Sequence, residues 1–266
     1  MRKPILILGL LFLAVAVKAQ DKSSNLSQKE IKRLQKYQTY REQQGSDLIY
    51  DHELNVGGRL NTDGWSGFLE YGKRTSDLTT TLLQLELGEK KHPKEDKQSY
   101  VDPYTGFSTK PFIYGKQNIF YQVKLGIGQR YLIGGKGNKN GVEVSAVYLG
   151  GVSLGLLRPY YLQVNGGSGT EYIKYSDDTR EEFLNLNDII SGSGLSKGWD
   201  ELQVAPGLHA QLGMRFDWAQ FNEVVSALEV GINAEAYSKK IPIMIDNKEQ
   251  QFFFNAYVTL LFGKRW

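Results

Sequence analysis

The chain has 266 residues, with 32 basic against 29 acidic side chains and no cysteine. The missing thiol excludes disulfides, thiol catalysis and cysteine-held metals. The formal charge of +3 comes from Arg2, Lys3 and Lys18 in the first 19 residues; without them acids and bases balance, and no electrostatic case for a nucleic-acid partner remains.

Residues 1–19 carry a basic start (Arg2, Lys3), an apolar run over residues 4–17 and a small-residue site at Val17-Lys18-Ala19. This is the pattern of a secretory signal peptide, predicted to be cut before Gln20. The run falls short of the ~20 apolar residues of a membrane-spanning helix. Residues 20–46 read as a helical leader in the periplasm. Ser27 and Glu30 make a capping box, and Ile31, Leu34 and Tyr37 form a thin apolar stripe among Lys29, Lys32, Arg33, Lys36 and Arg41. Such a helix is either solvated or docked on a partner or on the periplasmic mouth of a barrel.

From Asp47 the sequence alternates with period two, the mark of strands with two unlike faces. Strand one places Leu48, Tyr50, Leu54, Val56 and Leu60 on one face, with Asp51, Glu53, Asn55 and Arg59 on the other. His52 breaks the apolar row unless it lies at a membrane interface. Strand two sets Trp65, Leu69 and Tyr71 against Phe68 and Glu70, and strand three sets Leu83, Leu85 and Leu87 against Gln84 and Glu86. In strand four Ile119, Tyr121, Val123, Leu125 and Ile127 alternate with Gln122, Lys124, glycines and Arg130. Strand five opposes Val142, Val144, Tyr148, Val152 and Leu154 to Glu143, Ser145 and Ser153. Strand six opposes Leu208, Leu212, Met214 and Phe216 to His209, Gln211, Arg215 and Asp217; strand seven opposes Val230 and Ile232 to Glu229, Asn233 and Glu235. Tyr148 sits mid-strand, where an aromatic band does not explain it.

The closing stretch, QQFFFNAYVTLLFGKRW over residues 250–266, makes an eighth strand and ends on an aromatic. Its ending, NAYVTLLFGKRW, resembles the last strand of bacterial outer-membrane β-barrel proteins, small barrels of the Bacteroidota in particular. The resemblance implies that Phe262 and Trp266 form a terminal signal read by the barrel-assembly machinery. The connections agree with such a barrel: short links after strands two, four and six, and long ones over residues 88–116, 158–201 and 238–249, with only the link after strand one short as well. The expected fold is an all-β, antiparallel up-and-down transmembrane β-barrel of eight strands over residues 47–266, both termini periplasmic. A soluble sandwich or lipocalin would turn its apolar parity to a core, whereas here the apolar row ends in aromatic bands. Residues 161–164 and 172–175 flank a glycine-rich turn and would make ten strands, though their polarity suits an extracellular extension better. Residues 241–245 would prolong strand seven, and residues 178–190 read as a loop helix with Phe183, Leu186 and Ile190 on one side. Closure requires residues 47–61 to pair with 252–262, with Ala256, Val258 and Leu260 facing lipid and Asn255 and Thr259 facing inward.

The inward row carries Glu53, Arg59, Glu70, Glu86, Lys124, Arg130, Glu143, Arg215, Asp217, Glu229 and Glu235. An eight-stranded barrel is just wide enough for side chains to fill. Lys124, Arg130 and Arg215 are therefore expected to pair with Glu70, Glu86, Glu143 or Glu229, closing the lumen. A lipid-A-deacylating barrel enzyme would be similar in size, but His209 has no serine two residues along, and His52 and His92 nominate no nucleophile. No His/Cys cluster suggests a metal, and no cofactor is expected. The first functional reading is a non-enzymatic outer-membrane barrel, a structural or accessory subunit of an envelope secretion or assembly complex. Its partners would be outer-membrane lipid, the assembly machinery and envelope proteins. The alternative is a narrow transport or ligand-binding barrel.

Overall fold

The computed structural model describes residues 50–99, 110–136, 141–166, 169–219 and 223–266. The signal-peptide and leader-helix expectations fall on residues 1–49, outside the described residues. Thirteen strands run in chain order: β1 (His52–Asn61), β2 (Gly64–Arg74), β3 (Thr79–Lys90), β4 (Lys97–Gln98), β5 (Phe112–Ile113), β6 (Asn118–Gly134), β7 (Glu143–Pro159), β8 (Tyr161–Gly166), β9 (Gly169–Lys174), β10 (Ile189–Gly192), β11 (Gln203–Asp217), β12 (Val224–Ile241) and β13 (Gln250–Arg265). A short helix, α1 (Arg180–Phe183), lies between β9 and β10.

Eight of these strands close an antiparallel barrel in the order β1-β13-β12-β11-β7-β6-β3-β2. Side-chain alternation dictates which face turns out. On β13, Phe252, Phe254, Val258, Leu260 and Phe262 are exposed, while Phe253, Tyr257, Thr259 and Leu261 are buried. Leu54, Leu69, Leu85, Leu125, Val152, Leu208 and Ile232 continue the exposed apolar surface on the other strands. Inside, the buried side chains are mainly charged or amide-bearing. This inverts a soluble protein and matches a wall set in hydrocarbon, where closure leaves no strand edge unpaired.

The seam forms between β1 and β13, running from Asn61↔Tyr257 to Glu53↔Arg265. The ladder thus reaches past Phe262 instead of starting at Phe252. A closed barrel needs a staggered register, and the stagger leaves residues 252–255 to pair with β12 alone. Ala256, Val258 and Leu260 face outward and Asn255 and Thr259 inward. Trp266 ends at this seam, its carbonyl accepting from the Asp51 and His52 amides and its amide donating to His52, each at 3.0 Å. This end of the barrel is the terminal rim, and the opposite end is the loop rim. His52 belongs to the terminal-rim aromatics: a ring nitrogen lies 2.7 Å from the Tyr71 hydroxyl, and its ring stacks on Tyr71 and tilts against Trp266. Tyr148 also gains a reason, because its hydroxyl donates to Gln129, which lies directly across the β6–β7 ladder.

At the loop rim the hairpin stays outside the barrel, as expected, and two expectations need correction. The hairpin over residues 161–174 forms but adds no strands to the barrel; β10, β8 and β9 make a separate three-stranded sheet. The expected helix over residues 178–190 shrinks to α1. Asn185 and Asp188 bond each other at 2.6 Å and Asn185 accepts the Asn187 amide, a local turn that competes with helix. Phe183 is then buried, Leu186 is exposed, and Ile189 joins β10 opposite Val164. β12 stops at Ile241, since Pro242 has no amide for the ladder. Ile243 and Met244 instead fold inward over the mouth.

Candidate functional site

The lumen is the feature the strands are arranged to enclose. Six buried carboxylates (Glu53, Glu70, Glu86, Asp217, Glu229, Glu235) meet six buried cations (Arg59, Lys90, Lys124, Arg130, Arg215, Arg265) among the described residues. They stack in three levels along the barrel axis.

Nearest the terminal rim, Glu53 receives both Arg130 terminal nitrogens at 2.8 and 3.0 Å and Arg265 at 3.2 Å. Arg265 also reaches Asp217 at 2.8 Å, and Lys136 lies 3.4 Å from the same carboxylate. In the middle level Arg215 holds Glu70 through both terminal nitrogens (2.7 and 2.8 Å) and Glu229 at 2.7 Å. Tyr257 donates to Glu229 at 2.8 Å, and Asn55 donates to Glu70 at 3.0 Å. Arg59 spans to the next level. It reaches Glu86 at 2.5 Å, Gln211 at 2.7 Å and Thr259 at 3.0 Å, with its guanidinium 4.3 Å from the Tyr257 ring centre. In the third level Lys124 bridges Glu86 (3.0 Å) and Glu235 (2.8 Å), and Lys90 joins Asp63 (2.5 Å) to Glu235 (3.4 Å). Bidentate, charge-assisted pairs of this kind offset burial because the remaining lone pairs are also used.

The structure thus brings Lys124 to Glu86, and Arg215 to Glu70 and Glu229. Two expected pairings fail. Arg130 takes Glu53, because the register of β1, β2, β3 and β6 brings those two to the same level near the terminal rim. Glu143 forms no ion pair among the described residues. It is only half-buried at the end of β7, opposite Asp217, which already holds Arg265 and Lys136. Sequence reading missed Arg265 and Lys90. Arg265 shares the inward parity of β13, and that parity was the available signal; Lys90 lies in a stretch read as the start of a loop.

Above the third level the chemistry changes. Phe120, Tyr237 and Phe253 pack against one another with centroids 5.2–5.9 Å apart, joined by Ile113, Leu157, Ala205, Ile241, Ile243 and Met244. Glycines make the room: a Cβ on Gly155 would meet the Phe120 ring at 2.6 Å, and one on Gly207 the Tyr237 ring at 2.8 Å. Two long loops cap this plug with Ile113, Ile243 and Met244 and bond across the mouth, Ile245 amide to Gly115 carbonyl at 2.8 Å and Gln117 amide to Ile243 carbonyl at 2.9 Å. Lys116, buried beside Glu95 at 2.7 Å, locks the first of them; burial pushes its ammonium below the ordinary lysine range while Glu95 opposes the shift. Outside the plug, Phe112, Tyr160, Leu162, Val164, Phe183, Ile189 and Ile245 bind the three-stranded sheet to the loops. Arg180 clamps Asp246 through two contacts of 2.9 and 2.7 Å.

His209 lies buried in the lumen with Nδ1 unpaired, His92 Nδ1 accepts the Lys94 amide, and no serine hydroxyl bonds a histidine among the described residues. No group of three metal-ligating side chains converges among them either. Phe262 and Trp266 face outward at the terminal rim, both more than half exposed.

No family model matches the sequence, and no curated protein matches it. Solved structures that resemble it include Ail, the attachment invasion locus protein of Yersinia pestis. That protein is 9% identical with a TM-score of 0.40, over 82% of this chain and 100% of Ail. A major outer membrane protein from Thermus thermophilus is 11% identical, TM-score 0.41, over 81% and 99% of the two chains. Neisserial surface protein A is 10% identical, TM-score 0.38, over 81% and 96%.

Proposed function

We propose that the chain resides in a bacterial outer membrane, termini toward the periplasm, and works from its loop rim without conducting through its lumen. In this reading it is a non-enzymatic structural or accessory subunit of an envelope complex, matured at Gln20 and inserted by the barrel-assembly machinery through Phe262 and Trp266. The observation that carries it is the interior. Balanced ion pairs fill the lumen, and an apolar plug built from strand side chains and capped by two loops closes one mouth. A wall that is apolar outside and sealed inside has its free polar surface at the rims, where the separate three-stranded sheet packs on the loops.

The test has two parts. Fractionation of the full chain, with heat-shifted gel migration, checks membrane residence; recovery as a soluble protein rejects it. Gentle detergent extraction from native membranes checks the accessory role. A stoichiometric companion that is lost when residues 161–174 are replaced by a short turn supports the role, and migration as a lone monomer rejects it.

A further inference from the structure

On β7 the outward positions from Val144 to Leu156 are apolar, aromatic or glycine, and the next outward position is Arg158. At ~3.3 Å per residue and a tilt near 40°, that run climbs about 30 Å along the membrane normal. Arg158 therefore stands where hydrocarbon gives way to headgroups. Arg59, Arg130, Arg215 and Arg265, the other buried arginines, each hold a carboxylate. Arg158 is equally buried, at 1% exposure, yet has no acidic partner among the described residues. Its Nη2 donates to the Gly194 carbonyl at 3.0 Å, and Nε and Nη1 have no partner.

What covers it is aromatic. The guanidinium carbon is 4.7 Å from the Trp199 ring centre and 5.7 Å from that of Tyr121, and the two rings stack 11° from parallel. Trp199 and Leu195 come from a turn whose Gly194 and Gly198 hold positive φ of 61° and 86°. Both side chains are at least half exposed, and the Trp199 indole donates to the Leu195 carbonyl at 2.7 Å. A guanidinium that only pinned this turn would need the Gly194 bond alone; two further unpaired donors are a desolvation cost with no return inside the protein. A phosphate on one edge of the guanidinium, bonded to Nη1 or to Nε together with the second Nη2 hydrogen, supplies a missing acceptor in the geometry an arginine fork prefers.

We propose that Arg158, beneath Trp199 and beside Tyr121, binds the phosphate of an anionic lipid headgroup in the leaflet at the loop rim. The inference rests on the membrane reading above. The phosphate enters as the Trp199 ring swings off the guanidinium, and the exposed Leu195 and Trp199 then rest in the interface, where amphipathic rings are favoured.

Native mass spectrometry of the detergent-solubilised full chain, offered phosphatidylglycerol or phosphatidylcholine, tests this. Heat-shifted gel migration shows separately that each variant is a folded barrel, so a failed membrane reading is told apart from a failed site. Wild type is expected to retain phosphatidylglycerol in preference to phosphatidylcholine, with Arg158→Gln lowering that retention about tenfold. Arg158→Lys, which keeps charge without the fork, falls between them and decides the matter if the glutamine variant does not fold; wild-type selectivity in the lysine variant then overturns the proposal. Excess inorganic phosphate is expected to leave the lipid bound, and its displacing the lipid would reassign the site to free phosphate. Trp199→Ala is expected to keep or increase retention; loss in that folded variant assigns binding to the tryptophan. Equal retention by wild type and Arg158→Gln leaves Arg158 a pin for the turn and overturns the proposal.

Discussion

Replacing Arg215 by methionine tests whether the lumen is a sealed ionic core. Arg215 is 1% exposed and holds Glu70 at 2.7 and 2.8 Å and Glu229 at 2.7 Å. Without it Glu70 keeps only the amides of Asn55 at 3.0 Å and Gln84 at 3.4 Å, and Glu229 keeps Tyr257, the Gln211 amide at 3.4 Å and a 3.6 Å contact to Arg59. Two carboxylates would then share a dry level with no cation between them. Breaking a buried pair by removing one partner costs about 3–5 kcal/mol, and methionine fills the stem's volume without adding a cavity. Adding Glu70→Gln to Arg215→Met should restore about half the loss, because it removes the carboxylate left with amides alone. Urea unfolding in phospholipid vesicles, followed by tryptophan emission at constant slope, reads the difference. A loss below about 1 kcal/mol, the range of solvent-screened pairs, means water reaches this level and refutes the sealed lumen. A double variant less stable than Arg215→Met refutes the pairing.

Val258→Arg places a charge on the outer wall near mid-strand and should cost about 2–4 kcal/mol in the same assay. Thr259→Arg should be at least as damaging, since Thr259 is fully buried and accepts from Arg59 at 3.0 Å, while Thr259→Val should cost only about 1 kcal/mol; a well-tolerated arginine at 259 would indicate a roomy lumen. Deleting Trp266 removes three main-chain bonds at the β1–β13 seam, so it should lower the unfolding midpoint as well as slow refolding; slow refolding with an unchanged midpoint would mark a purely kinetic signal. Opening the plug with Tyr237→Ala and Phe253→Ala should leave planar bilayers silent, because the three ionic levels remain, and a steady large conductance would favour the transport reading.

The barrel was legible because period two survives in each of its eight long strands, and because a charge or amide on one parity and an aliphatic on the other leaves no ambiguity about faces. The strand count followed, and so did the alternation of short and long links. Individual pairs were less legible. Arg130 meets Glu53 and not Glu86 because of the stagger between strands, and stagger is a property of closure that no single strand records. Glu143 shares the parity of the lumen but sits where β7 ends, so its face was right and its depth was not. The loops were legible least. Residues 178–190 have helical spacing, yet Asn185, Asn187 and Asp188 satisfy their own backbone and release Ile189 to a strand. Arg158 was passed over because it lies one step beyond the last apolar position of β7, where an exposed charge is ordinary. Only its burial under Trp199 makes it unusual.

The interior of this molecule changes character along the barrel axis. Along the membrane-facing levels the wall has spent its aliphatic side chains on lipid, so the centre is built from ion pairs; these hold because each carboxylate finds a cation or an amide. Past Glu235, toward the loop rim, the same strands return to ordinary burial: Phe120, Tyr237 and Phe253 turn inward, and Ile243 and Met244 descend from a loop to meet them. The crossover passes through Tyr237, whose ring packs on Phe120 while its hydroxyl donates to Glu235 at 2.9 Å. Tyr237→Phe keeps the ring and removes that bond, together with the one the hydroxyl accepts from Gln122 at 2.6 Å. Glu235 would still hold Lys124 at 2.8 Å and Gln122 at 2.5 Å, so the expected loss is about 1 kcal/mol, with the plug intact. Amide exchange at Gln117 and Ile245, the donors of the two cross-loop bonds, should then stay at the wild-type rate. Faster exchange at those amides would show that the polar levels, and not the apolar packing, hold the mouth shut.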